Sequence, residues 1–342
     1  MVIVMAAKSS HGGGSNGGSI GMRQLISLAV KVGVTVALLY FALRGTDFAN
    51  LARRLQGLHV AWMAAAIAVL FVQLGLVAVR WSKIAEYCGA DLPVPQGTRY
   101  TLIAAFFNQV LPSTVGGDAV RIWMFARDGA GWSKSTYSVL LDRFFGVLSL
   151  ALMVAFCLPW SLALIKNPVG QLALIAIGAC SVASAMAFVA LGYVRWHKLM
   201  EWAPTRHLIQ MSVTTRKILF SSGAVAIVLI LSFVVHALSV LIAWCAAQSV
   251  DAPFQLWYAL LLLPPVLLIA SVPISIAGWG VRESTFVLAF SYAGLSEADG
   301  LVVSVLFGAA FFVVGLAGGL TWLLSSEPGG LAAFKSEQPP QT

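Results

Sequence analysis

The sequence predicts an all-α polytopic membrane protein, with about six full transmembrane helices and two re-entrant broken-helix hairpins arranged as an inverted repeat. Three observations predict it. The 342 residues are 59% hydrophobic and 10% charged, with a mean hydropathy of +0.89, which leaves far too little polar surface for a soluble globule of this size. The apolar runs reach the roughly 20 residues that a bilayer core requires. Two ten-residue stretches match each other, Pro112-Ser-Thr-Val-Gly-Gly-Asp-Ala-Val-Arg121 and Pro273-Ile-Ser-Ile-Ala-Gly-Trp-Gly-Val-Arg282.

Aligned on proline, both stretches place a hydroxyl third (Thr114, Ser275), a β-branched apolar residue fourth (Val115, Ile276), glycine sixth (Gly117, Gly278) and Val-Arg at the end. Proline removes a backbone donor and glycine frees the backbone, so an apolar helix should break at Pro112 and Gly116 and again at Pro273 and Gly280. Helix breaks at membrane depth are tolerated only where protein or a watery cavity covers them. Two broken helices therefore predict a transport-like site.

In chain order, residues 1–22 have the Gly/Ser composition of a flexible cytoplasmic tail. A first span runs from Leu25 to Leu43, with Lys31 snorkelling to the near interface. The second, Ala61 to Val79, ends in Arg80-Trp81, an interfacial charge and aromatic pair. Thr98 to Phe107 is too short to cross and stops at Asn108-Gln109. Ala119 to Ala126 then returns as the second arm of a hairpin. A third span starts near Ser138, with Asp142-Arg143 in its first turns, and ends around Pro159; a fourth runs from Gly170 to Tyr193. Arg195 to Lys217 is a basic loop, the strongest positive-inside signal in the chain. The fifth span, Leu219 to Ala247, contains His236. Leu256 to Ile269, interrupted by Pro264-Pro265, leads to the second broken stretch, and Ser284 to Tyr292 follows as a half-length helix. The last span, Leu301 to Leu324, carries a weak Gly315-x-x-x-Gly319 packing signal, and residues 326–342 form a polar tail.

The domain is thus expected over residues 23–325, as a first half (23–160) and an inverted second half (170–325). Each half reads as span, span, hairpin, span, an odd number of crossings, so the second half is upside down. Both termini are expected in the cytoplasm of a bacterial-type plasma membrane. Arg44, Arg53 and Arg54 then fall outside, against the charge rule.

Arg121 and Arg282 are the first candidates for chemistry. A guanidinium at membrane depth costs roughly 2.5–3.5 kcal/mol on insertion scales, so it faces a cavity or a partner. One reading is a lipid-phosphate site of Arg121, Arg282 and Asn108, with backbone donors following Gly117 and Gly278; Asn108 and Gln109 read equally as caps of the first half-helix. The other is that Arg121 pairs with Asp118, and Arg282 with Glu283 or another acid, to lock the hairpins. Asp142-Arg143 reads as an internal salt bridge or as a gate against the hairpin. His236, alone on an apolar helix, reads as a packing residue, and Trp279 as packing or a lid. Cys88, Cys157, Cys180 and Cys245 have neither pairing nor metal spacing. The net charge of +8 suits an anionic leaflet and not nucleic acid. No metal, cofactor or catalytic constellation is expected, and the chain is not expected to be an enzyme.

These residues resemble the lysylphosphatidylglycerol synthase transmembrane-region family, whose members are also described as flippase-like membrane proteins. The resemblance covers nearly all of residues 23–325. It rests on Arg80-Trp81, on Asn108-Gln109-Val-Leu-Pro112 through Gly116-Gly117-Asp118 to Arg121, on Asp142-Arg143-Phe-Phe-Gly146, and on Pro273-Ile-Ser-Ile-Ala-Gly278-Trp279-Gly280-Val-Arg282-Glu283. It implies translocation between leaflets of an anionic or modified phospholipid, a polyprenyl-phosphate-linked lipid or a hopanoid lipid. In two-domain members a soluble aminoacyl-transferase domain follows, and none is expected here. The alternative is a non-transporting, lipid-binding membrane subunit for a glycosyltransferase or hopanoid enzyme.

Overall fold

The computed structural model describes residues 57–111, 115–193, 203–221, 223–272 and 280–325, and these form ten α-helices with no strand among them. They are α1 (Val60–Tyr87), α2 (Val94–Val110), α3 (Gly116–Phe125), α4 (Trp132–Leu164), α5 (Pro168–Leu191), α6 (Ala203–Leu219), α7 (Ala224–Gln248), α8 (Leu256–Ala270), α9 (Val281–Tyr292) and α10 (Glu297–Leu324). A π-helical turn, Ala126–Ala130, continues α3. Five helices are long and apolar enough to cross a bilayer: α1, α4, α5, α7 and α10. The expected span Leu25 to Leu43, the Arg44–Arg54 loop, both tails, Pro112, Pro273, Gly278 and Trp279 lie outside the described residues.

Several expected boundaries move. Pro159 does not end its helix but lies inside α4, and Pro264-Pro265 are both accommodated within α8. The basic segment before the fifth span is not all loop, because α6 occupies Ala203–Leu219. α6 closes the end of α5: Ser212 Oγ donates to Phe188 O at 2.7 Å and Arg216 Nη1 to Gly192 O at 3.2 Å. Carbonyls left free at a helix C-terminus make that end a sink for donors and cations.

The short helices pair as two antiparallel hairpins. In the first, Gln96 at the start of α2 donates to Asp128 beyond α3 at 2.6 Å, and Tyr100 also bonds Asp128. At its other end Gly117 N donates to Asn108 Oδ1 at 2.8 Å. In the second, Phe254, just before α8, stacks on Phe290 near the end of α9, with centroids 4.6 Å apart. At about 1.5 Å per residue, α2 spans about 25 Å and α9 about 18 Å, both short of the roughly 30 Å hydrocarbon core.

The long helices pack around them. α1 lies antiparallel on α7, from His59 Nε2 to Asp251 Oδ2 at 3.1 Å, through Gln73 Nε2 to Ser239 Oγ at 2.6 Å, to Arg80 Nη1 and Ser232 Oγ at 3.1 Å. α2 packs on α10, α8 on α4, α3 on α4 and α9 on α10. The α2–α10 contact depends on glycine: a Cβ on Gly318 would overlap the Leu102 carbonyl, whose carbon would lie at 2.8 Å, and one on Gly319 would meet Phe106 at 2.8 Å. Close backbone approach, rather than large side chains, is the usual way helices associate where lipid removes the hydrophobic drive.

The two ends of the bundle differ in charge. Lys83, Arg99, Arg127, Lys134, Arg216 and Lys217 outnumber Glu86, Asp91 and Asp128 at the end that holds the mouth of the first hairpin, and Asp251, Glu297 and Asp299 outnumber Lys166 at the end that holds the mouth of the second.

Candidate functional site

The most concentrated polar feature inside the described bundle is a line of alternating charges across α1, α3 and α4. Arg80 Nε on α1 donates to Asp142 Oδ1 on α4 at 2.8 Å. Arg121 Nη2 on α3 takes the other oxygen, Asp142 Oδ2, at 3.0 Å, and Arg121 Nη1 lies 3.5 Å from Asp118 Oδ1. Arg143 on α4 grips Asp118 with two bonds, Nε to Oδ2 at 2.6 Å and Nη2 to Oδ1 at 3.0 Å. Asp142, Arg80, Arg121 and Asp118 are buried, whereas the Arg143 side chain is 51% exposed. A buried ion pair is tolerated only when each charge finds a close partner, and here each carboxylate meets two guanidinium groups.

Aromatic and small residues shape this line. The Arg121 guanidinium lies over the Trp81 ring, 4.0 Å from its centroid, a cation–π contact in a desolvated setting. Trp81 Nε1 in turn donates to Ser138 Oγ at 3.1 Å. Gly146, one turn after Asp142, faces Arg80, whose Nη1 and Nη2 would be in ordinary contact with a Cβ there at 3.7 Å. His236 Nε2 donates to the Gly146 carbonyl at 3.0 Å. Arg121 Nε is buried with no partner among the described residues.

The second hairpin carries a smaller version. Glu283 Oε2 accepts from Gly280 N at 2.6 Å, capping the start of α9, where Gly280 has φ +83° and needs the freedom of glycine. Its Oε1 accepts from Arg282 Nη2 at 2.6 Å and Nε at 3.0 Å. Arg282 Nε also reaches Ser304 Oγ on α10 at 3.2 Å. Gly308, one turn after Ser304, leaves the space that the guanidinium fills, since a Cβ there would meet Arg282 Cζ at 2.9 Å.

The two arginines are used alike. Each stands on the second arm of a hairpin and bonds a polar side chain on the following long helix, 21 residues on in the first half and 22 in the second. In both halves a glycine follows that partner by one turn. The site residues foreseen in the sequence fall into these two clusters: Arg121, Asp118, Asp142 and Arg143 in one, Arg282, Glu283 and Gly280 in the other. Asn108 Oδ1 accepts from the Gly117 amide at 2.8 Å, so that backbone donor is already occupied. A Cβ on Gly117 would stand 2.6 Å from Asn108 Oδ1, and Gly116 is equally close to Leu111.

Two expectations are corrected. Arg80-Trp81 is not an interfacial anchor, since Arg80 is 5% and Trp81 0% exposed; the pull of Asp142 and Ser138 draws both inward. Asp142 and Arg143 do not bond each other: neighbours on a helix project about 100° apart, so Asp142 meets α1 and α3 while Arg143 meets Asp118. Arg80 is the member that spacing alone did not reveal, because its partner lies 62 residues away. The signal available was Asp142, an acid in an apolar run that demands a cation from another helix. Among the described residues no group of three or more His, Cys, Asp or Glu could hold a metal ion.

Residues 28–319 match the family model described as the lysylphosphatidylglycerol synthase TM region. No curated protein matches the chain.

Proposed function

The chain belongs to the lysylphosphatidylglycerol synthase transmembrane-region family, and on that premise we propose that this multi-pass membrane protein moves an anionic phospholipid or lipid-phosphate between leaflets. The observation that carries the reading is the pair of hairpins whose mouths lie at opposite ends of the bundle, each fastened by an arginine to the next long helix. Two hairpins related in this way support an inverted repeat in which a headgroup is passed from one arm to the other. Helix contacts that exchange between halves support it further: α2 on α10 answers α8 on α4, and α3 on α4 answers α9 on α10.

The basic end of the bundle faces the cytoplasm of a plasma membrane by the positive-inside rule, which puts the mouth of the first hairpin inside and that of the second outside. With the span Leu25 to Leu43 as a sixth crossing, both termini are cytoplasmic. Phosphate is the ligand chemistry that suits guanidinium groups at this depth. Acyl chains stay in the bilayer while the headgroup crosses between the two hairpins, so the process involves binding and movement and no covalent step.

Transbilayer movement of fluorescent phospholipids and a polyprenyl-phosphate lipid in liposomes containing the purified protein tests the reading. Movement is expected with wild-type protein and is lost in Arg121→Ala and Arg282→Ala proteins that still insert. Wild-type movement by the double alanine variant would sink the proposal. Lipid binding without movement would favour a lipid-presenting subunit instead.

A further inference from the structure

The two arginine clusters differ in net charge. In the second, Arg282 and Glu283 cancel. In the first, three guanidinium groups, Arg80, Arg121 and Arg143, face two carboxylates, Asp118 and Asp142, which leaves one positive charge. The line begins and ends on arginine. Its inner end is closed, because Arg80 is 5% exposed and its Nη1 is held by Ser232. Its outer end is open: Arg143 is half-exposed, uses only Nε and Nη2 on Asp118, and has Nη1 without a partner among the described residues. The excess charge is shared along the line, and Arg143 is the arginine through which the line reaches the surface.

We infer that Arg143 receives one monoanionic phosphodiester headgroup that carries no cation of its own, so that the lipid selected is anionic rather than zwitterionic. This rests on the lipid-binding reading above and deepens it. A single negative charge brings the cluster to neutrality, and a phosphate oxygen can take the free Nη1 while Asp118 keeps its two bonds. A zwitterionic headgroup would bring an ammonium beside Arg143, where the nearest carboxylate, Asp118, already accepts two nitrogens at 2.6 and 3.0 Å. A phosphomonoester, which carries more than one charge near neutrality, overshoots. The chemistry fits a glycerophospholipid such as phosphatidylglycerol and equally a polyprenyl-phosphate-sugar, both of which are monoanionic diesters.

The test is lipid retention by the full chain, purified from nanodiscs of equal parts phosphatidylglycerol, phosphatidylethanolamine, phosphatidic acid and a polyprenyl-phosphate-sugar, and counted by native mass spectrometry. One monoanionic diester per chain is expected, about tenfold over phosphatidylethanolamine, as one charge-assisted bond gained or lost implies. Which diester is retained identifies the source. Arg143→Gln lowers retention about tenfold, Arg143→Lys, which keeps the charge and loses the fork, lowers it less, and Lys83→Gln, which removes an exposed cation paired with Glu86 at the same end, changes nothing. Equal retention of all four headgroups, or undiminished retention by a folded Arg143→Gln protein, overturns the assignment. Selective retention without transbilayer movement would sink only the translocation reading, and movement without selectivity would sink only this one.

Discussion

Replacing Asp142 by Asn is expected to cost about 3–5 kcal/mol, the range for breaking a buried ion pair from one side. The carboxylate is 2% exposed and is the junction of Arg80 at 2.8 Å and Arg121 at 3.0 Å. Asparagine keeps the shape and one acceptor but leaves two buried guanidinium groups facing each other with no charge between them. The loss falls on three helices at once, since α1, α3 and α4 meet through this residue. Heating the purified variant in detergent and following the monodisperse fraction by size exclusion should show a large drop in the midpoint. Ser232→Ala removes one bond from the Arg80 guanidinium and leaves its Asp142 partner in place, so it should cost less, about 1.5–3 kcal/mol. A Asp142→Asn protein as stable as the Ser232→Ala protein would show that the line of charges does not hold the bundle together.

Glu283→Gln is expected to have an effect of similar size, about 3–5 kcal/mol, in the other half of the chain. Glu283 is 1% exposed and serves three groups: the Gly280 amide, the Arg282 guanidinium and, at 3.2 Å, the Ser304 hydroxyl. Glutamine can still accept from Gly280, so the helix cap survives and the lost charge is what the variant reports. Arg282 is buried against α10, where it bonds Ser304 and fills the space beside Gly308. Removing the opposing charge elsewhere offers the comparison: Arg282→Gln combined with Glu283→Gln should recover part of the loss, since two neutral partners can bond where one buried charge cannot. A double variant less stable than Glu283→Gln alone, by the same heated size-exclusion measurement, would contradict this.

The long helices were legible in the sequence because a bilayer imposes a one-dimensional rule, roughly 20 apolar residues in a row. The first hairpin was legible too, since Asn108 through Gly117 carries its own break. What the sequence hid were pairings across distance. Arg80 reads as an interfacial arginine until Asp142 is placed beside it. Asp142 and Arg143 read as a pair until the helix separates them by about 100°. The helix Ala203–Leu219 is hidden because its basic residues, Arg206, Arg216 and Lys217, carry the charge signal of a loop between spans. The packing of α10 turns on Gly318 as tightly as on Gly319, and the spaced glycine motif singles out only one of them. In each case the missing information was which helix lies alongside, which local periodicity does not contain.

The two hairpins are expected to open on opposite faces of the membrane, and labelling of two single cysteines decides it. Lys134→Cys, exposed beside the mouth of the first hairpin, and Gln255→Cys, exposed beside the mouth of the second, are placed singly in a protein whose Cys88 and Cys180 are serine. An impermeant maleimide applied to intact cells should label the cysteine at 255 at once, and the cysteine at 134 only after the membrane is opened. Labelling of both from the same face would contradict the inverted arrangement and with it the passage of a headgroup from one hairpin to the other.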